Sequence, residues 1–134
     1  MITGFTMGCF DLFHAGHVNL LRAASGMCDK LIVGVFTDEH ILSRKKRAAV
    51  IGGNDRLAVV CACRYVALGM TIADADVRFW YENLAFDVLF VGDDWRGWPL
   101  PGSTMKREAA PFRVLYLPRT PDISTTEIRE RAAR

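Results

Sequence analysis

The sequence predicts a single doubly wound α/β domain over residues 1–134, a Rossmann-like parallel sheet of about five strands with helices on both faces. Three observations carry this. Short apolar runs alternate strictly with stretches of helical spacing, which implies parallel strands joined by right-handed crossovers. The runs LIVGVF and VLFV are apolar continuously rather than alternately, as in strands covered on both faces. The chain has 134 residues, 51% of them hydrophobic, which is about one domain's length and enough to bury a real core.

The first strand is expected from Ile2 to Met7. A helix follows from Gly16 to Ser25, where Val18, Leu21 and Leu20, Ala24 give the spacings of one buried face. The second strand runs from Leu31 to Phe36, with helices from Asp38 to Ser43 and from Asp55 to Cys63. Tyr65 to Leu68 reads as the third strand, Ala75 to Leu84 as a helix, Val88 to Val91 as the fourth strand and Arg113 to Leu117 as the fifth. The last helix, Ser124 to Ala133, opens on Ser124-Thr125-Thr126-Glu127, the spacing of a capping box. Between the last two strands, Asp93 to Met105 reads as one long loop with Gly97, Pro99, Pro101 and Gly102, and loops of that length tend to carry function.

Composition narrows the function classes. The net charge of +2 is too mild for bulk nucleic-acid binding, and the basic excess is local, in Arg44-Lys45-Lys46-Arg47. No apolar stretch has the length of a membrane span, and MITGFTMGCFDLFH lacks the parts of a secretion signal. A cytoplasmic protein without nucleic-acid partners or membrane insertion is expected. Cys9, Cys28, Cys61 and Cys63 are too scattered for a tetrahedral metal site, so free thiols and no protein-held metal are expected.

In such sheets ligands bind beyond the carboxyl ends of the strands, where strand order reverses. After the first strand stands Gly8-Cys9-Phe10-Asp11-Leu12-Phe13-His14-Ala15-Gly16-His17. His14 and His17, three apart at a helix start, share a face where free backbone N–H groups and the helix dipole favour an anion. Gly16 between them would let a phosphate approach the backbone, and two imidazoles could donate to charge growing on phosphorus. After the last strand, Arg119 precedes the hydroxyls of Ser124, Thr125 and Thr126 at another helix start, a suitable triphosphate cradle. After the fourth, Gly92-Asp93-Asp94-Trp95 offers carboxylates for a base amino group or ribose hydroxyls, with a ring alongside. Each sign alone is weak. All of them, with the basic run 44–47, fall on one edge of one sheet.

These residues are recognisable together. GCFDLFHAGH resembles the nucleotidyltransferase signature with the His-x-Gly-His pattern, and PRTPDISTT resembles the Arg-Thr-x-x-Ile-Ser-Thr-Thr signature of its cytidylyltransferase branch. CRYV (Cys63 to Val66) also recurs there, and GDDW (Gly92 to Trp95) is similar to the glycerol-3-phosphate cytidylyltransferase family within that branch. The resemblance is collinear over nearly the whole chain. It implies transfer of CMP from CTP, bound with Mg²⁺, to a small phosphorylated alcohol such as glycerol 3-phosphate, giving CDP-glycerol and pyrophosphate, in a homodimer. Carried over by position, it implies catalytic roles for His14, His17, Arg119 and Lys46. It implies nucleotide contacts from Gly8, Cys9, Phe10, Gly16, Lys45, Gly92, Asp94, Trp95, Ile123, Ser124, Thr125 and Thr126. Asp11, Arg56 and Arg64 would meet the acceptor phosphate or the nucleotide. The chain departs from the pattern at Pro121-Asp122, where the family usually has Glu-Gly, and at Ala67-Leu68-Gly69, where an acidic residue after CRYV is missing. Adenylyl transfer to a sugar phosphate or FMN, cytidylyl transfer to another alcohol phosphate, and a nucleotide-binding regulator without turnover are the alternatives.

Overall fold

The structure is a computed structural model that describes residues 1–133. Five strands form one wholly parallel sheet: β1 (Thr3–Gly8), β2 (Lys30–Phe36), β3 (Leu68–Ile72), β4 (Val88–Gly92) and β5 (Arg113–Leu117). Helices α1 (Ala15–Ser25), α2 (Asp38–Lys45), α3 (Gly53–Ala62), α4 (Val77–Leu84) and α5 (Thr125–Ala132) connect or follow them. The spatial order is β3-β2-β1-β4-β5, so strand order reverses between β1 and β4.

Alternation along the strands sorts the core into two halves. Phe5, Ile32, Leu89, Val91 and Val114 turn to one face, against Val77 of α4 and Phe86. Leu31, Val33, Val35, Val88 and Phe90 turn to the other, against Leu21 and Ala24 of α1 and Val60 of α3. Burial on both faces is why these strands read as unbroken apolar runs.

Two expectations are corrected. The third strand lies several residues later than Tyr65 to Leu68. Tyr65 and Val66 pack on the core from the turn that closes α3, with the Val66 N–H bonded to the Cys63 carbonyl at 3.1 Å. Pairing with β2 begins only at Leu68 and ends with Ile72 opposite Phe36. Gly34 makes the room for this, since a Cβ there would lie 2.6 Å from Cδ1 of Ile72. The capping box at Ser124 is half formed. The Ser124 hydroxyl accepts the Glu127 N–H at 3.1 Å, but the Glu127 carboxylate turns down the helix to Arg131 at 2.6 Å. The expected long loop, Asp93 to Met105, opens on a short 3₁₀ turn at Asp93–Trp95, and a second such turn follows the loop at Arg107–Ala109. No helix among the described residues is long and apolar enough to cross a membrane.

Candidate active site

The carboxyl ends of β1, β4 and β5 open onto two adjoining cavities. One, of about 350 Å³, is polar and is lined by His14, His17, Lys45, Asp94, Arg119 and the segment 123–126, among others. The second, of about 260 Å³, lies between β1 and β4 and is walled by apolar side chains such as Phe10, Phe36, Leu89 and Trp95. Gly16, His17, Leu20 and Gly92 border both. The start of α1 and the start of α5 therefore converge on the polar cavity, each presenting backbone N–H groups and the positive end of a helix dipole.

The histidine pair is built by the backbone. His14 is the N-cap of α1, and its Nδ1 accepts the Gly16 N–H at 3.0 Å. His17, at the third helical position, accepts the His14 N–H on its own Nδ1 at 3.1 Å. This is a reciprocal capping box made by imidazoles. A ring nitrogen that accepts carries no proton, so each neutral ring holds its proton on Nε2. The ring centroids lie 3.9 Å apart, and Phe13 stacks on His17 at 5.2 Å. Burial pushes the pKa of both imidazoles down. For His17 the value falls to about 4, with the His14 ring adding to the effect and Asp11 opposing it. Both are neutral donors at physiological pH. Gly16 is required for a reason other than the one expected: a Cβ would lie 2.7 Å from Cε1 of His14, so the space above it belongs to the imidazole.

Arg119 and Asp94 face each other across the polar cavity, joined from Nη2 to Oδ2 at 2.8 Å. The bond to Arg119 holds the Asp94 carboxyl below the usual carboxylate range and raises Arg119 above its ordinary value. Gly92 leaves room for this carboxylate, because a Cβ would lie 2.7 Å from Oδ1 of Asp94. Ile123, Ser124, Thr125 and Thr126 line the cavity, with the Ser124 hydroxyl capping α5 and the Thr125 hydroxyl donating to the Asp11 carbonyl at 2.9 Å. Gly8 and Phe10 border the apolar cavity, with Phe10 buried and at φ 53°.

Several expected site residues are placed elsewhere. Arg56 is buried to 1% exposure, and its donors reach the carbonyls of Ile51, Cys9 and Phe36 at 2.8 Å each and Asp38 at 2.7 Å. Four of the five N–H donors of a guanidinium are thus held inside the fold. Asp11 is likewise buried, its carboxylate accepting the N–H groups of Leu12, Val50 and Ile51. Together they tie the signature loop after β1 to the chain between α2 and α3; neither lines the cavities. Cys9 contributes its carbonyl to Arg56, not a contact in the pocket. Lys46, the left-handed C-cap of α2 at φ 58°, is outside the lining, whereas Lys45 is in it. Arg64 sits at the closing end of α3 beside the Tyr65 ring, near where Ala67 bonds to Leu31 at the start of β2, and so at the opposite edge of the sheet. Sequence reasoning missed Thr120, which lines the polar cavity and receives the Asn19 amide at 3.0 Å, and the strand residues Thr6, Met7, Leu89, Phe90 and Val91, which wall the apolar cavity beside the expected Gly8, Phe10, Gly16, Gly92 and Trp95 and carry no motif of their own.

A fold of this topology with a histidine pair and a basic, N–H-rich cavity at its switch point defines a phosphate-binding α/β protein of the nucleotidyl-transfer type. The chain belongs to the cytidylyltransferase-like family, whose match covers residues 5–131. It is 35% identical over 131 residues to the glycerol-3-phosphate cytidylyltransferase of Bacillus subtilis, covering 96% of this chain and 95% of that protein. It is 37% identical over 129 residues to the bifunctional protein HldE of Granulibacter bethesdensis, covering 96% of this chain, which spans only 26% of that longer protein. In three dimensions it matches the lipopolysaccharide core biosynthesis protein of Thermoplasma volcanium with a TM-score of 0.69, at 19% identity over 90% of this chain and 97% of that one, a likeness of fold.

Proposed function

We propose that the chain transfers CMP from CTP to glycerol 3-phosphate, giving CDP-glycerol and pyrophosphate. The observation that carries this is the convergence of two helix starts, two Nε2-protonated imidazoles, Lys45 and Arg119 on one cavity of about 350 Å³. The near-full-length similarity to a glycerol-3-phosphate cytidylyltransferase supplies the base and the acceptor. In this reading the triphosphate lies along the start of α5. Arg119, Lys45 and the N–H groups of residues 124–126 neutralise its charge. His14 and His17 donate to oxygens on the α-phosphorus as an acceptor phosphate oxygen forms its bond there and the bond to pyrophosphate breaks. The nucleophile is already ionised, so no base is needed and catalysis is positioning and charge stabilisation. Gly92, Asp94 and Trp95 meet the nucleoside, and Asp94 exchanges part of its contact with Arg119 for it.

Mg²⁺ would come with the triphosphate, adding positive charge to it. Asp94 is the cavity's single carboxylate and is already paired, so phosphate oxygens would be the ion's main ligands. A homodimer in the cytoplasm belongs to the same reading. The four cysteines are free, and exposed Leu68 opens β3, the edge strand, whose free side a second copy could cover.

A pyrophosphate-release screen of four nucleoside triphosphates against a panel of phosphorylated alcohols tests the reading. The expected outcome is turnover of CTP with glycerol 3-phosphate, with CTP preferred to ATP by more than ~100-fold, because a hydrogen-bonding base site rejects a base that leaves its groups unpaired. Equal use of ATP and CTP would remove the cytidylyl assignment. Turnover only with another alcohol phosphate would move the acceptor.

A further inference from the structure

A third cavity, of about 420 Å³, lies outside the two described above, at the outer edge of the sheet beside β5. Its lining carries three cations, Arg96, Lys106 and Arg107, against one acid, Glu108, together with the rings of Trp98 and Tyr116. The guanidinium carbons of Arg96 and Arg107 stand 4.7 and 5.4 Å from the centroid of the same Tyr116 ring. Tyr116 is a rigid platform, fixed in β5 and packed against the core. Two like charges held by one ring repel each other, and only Arg96 has an ion-pair partner, Asp93, among the described residues. The Nη groups of both arginines remain available as planar forks of the kind that grip phosphate. Trp98 is 68% exposed at the cavity wall, an apolar ring left to solvent where a flat ligand could cover it.

We propose that this cleft is a second anion site, taking a phosphorylated ligand with a planar ring, of which a nucleotide is the type. Its phosphates sit between Arg96, Arg107 and Lys106, and its ring stacks on Trp98. The Asp93–Trp95 turn, followed directly by Arg96, links the cleft to the active cavities. Asp93 pairs with Arg96 on the cleft side, while Asp94 and Trp95 line the active cavities. A ligand that draws Arg96 away from Asp93 therefore bears on the turn that carries Trp95, so occupancy of the cleft would alter substrate binding next door.

The test uses calorimetric titration of the full chain with ATP, tripolyphosphate and adenosine, in the parent protein and in the variants Arg107→Gln, Trp98→Ala and Arg119→Ala. ATP is expected to show a binding site that survives Arg119→Ala, weakens at least tenfold in Arg107→Gln and weakens severalfold in Trp98→Ala. Tripolyphosphate should bind the same site more weakly than ATP, and adenosine should not bind it. Arg107→Gln should leave turnover without added ATP unchanged, which separates this site from the catalytic reading. ATP binding that is lost in Arg119→Ala and unaffected by Arg107→Gln would overturn the proposal. So would a parent protein that binds no ATP at this site, and strong binding of a polyglutamate peptide in its place would make the cleft a protein-docking surface instead.

Discussion

His14 and His17 each accept a backbone N–H on Nδ1, from Gly16 and from His14 itself, so the start of α1 fixes the tautomer of both rings. The groups that cap the helix are also groups that line the polar cavity. In the proposed reaction the same two side chains therefore carry both a structural and a chemical role, and a substitution that preserves one can remove the other.

Replacing either histidine with Ala is expected to lower kcat by roughly 100-fold or more, as loss of a transition-state donor does. His17→Gln separates the roles. Gln at the third helical position returns the bond to the N-cap N–H, so stability at pH 7 should stay within about 1 kcal/mol of the parent, while kcat still falls. Steady-state kinetics beside thermal denaturation decides it. Normal kcat with reduced melting temperature would make the pair purely structural.

The lowered histidine pKa values make stability depend on pH in a defined window. His17 has a folded value of about 4 against about 6.5 in the unfolded chain, so between these values the unfolded state binds more protons. The stability contribution is complete above pH 6.5 and is lost as pH falls toward 4, with His14 acting in the same direction. Asp38 and Asp94 are held low by Arg56 and Arg119, so their titration falls below this window. Calorimetry from pH 7 to 4 should show a falling melting temperature, with a shallower slope in His17→Gln. An identical slope in the variant would remove His17 as the cause.

The fold and the placement of the site at one sheet edge were legible in the sequence because continuous apolar runs and helical spacing report burial directly. What was not legible depended on which of two plausible partners a side chain meets. Glu127 could have returned to the Ser124 N–H or gone to Arg131, and spacing permits both. Tyr65 and Val66 are strand-like residues used in a buried turn. Arg56 and Asp11 carry charges that look suited to a substrate, yet each is held by backbone groups that include some from distant segments, the Cys9 carbonyl for Arg56 and the Val50 and Ile51 N–H groups for Asp11. No local pattern encodes that closure.

Arg56→Met should therefore act on stability first. It leaves the carbonyls of Cys9, Phe36 and Ile51 without their buried donor, at a cost of about 3 kcal/mol or more. Urea unfolding of the variant is expected to show a large drop in midpoint. A raised KM for the acceptor at parental stability would instead return Arg56 to the substrate site.

Lys45 and Lys46 are adjacent in sequence and differ in direction, Lys45 lining the polar cavity and Lys46 ending α2 in a left-handed conformation. Lys45→Ala is expected to raise KM for CTP about tenfold, the loss of one charge-assisted phosphate contact. Lys46→Ala should change it by less than about twofold. The reverse order in CTP saturation curves would show that Lys46 swings into the site when nucleotide binds.

Asp122 is one of the chain's departures from the signature it resembles, and it sits at a backbone conformation that suits glycine. Its φ is 64°, the left-handed region that glycine favours and that Asp occupies more readily than most residues. Pro121 precedes it, and the chain then enters the Ser124 cap of α5. The residue is exposed and outside the lining of the polar cavity, although Ile123 and Ser124 are within it. A carboxylate so placed contributes little repulsion to a triphosphate lying along α5, since solvent screens it. Asp122→Gly removes a strained side chain but gives the unfolded loop more freedom, two effects of opposite sign that leave stability within about 1 kcal/mol. CTP affinity should change by less than about threefold, measured by titrating both variants at equal Mg²⁺. A gain of tenfold or more, about 1.4 kcal/mol, would mean that the carboxylate turns toward the bound nucleotide, and would favour a chain that keeps the pocket while restraining turnover.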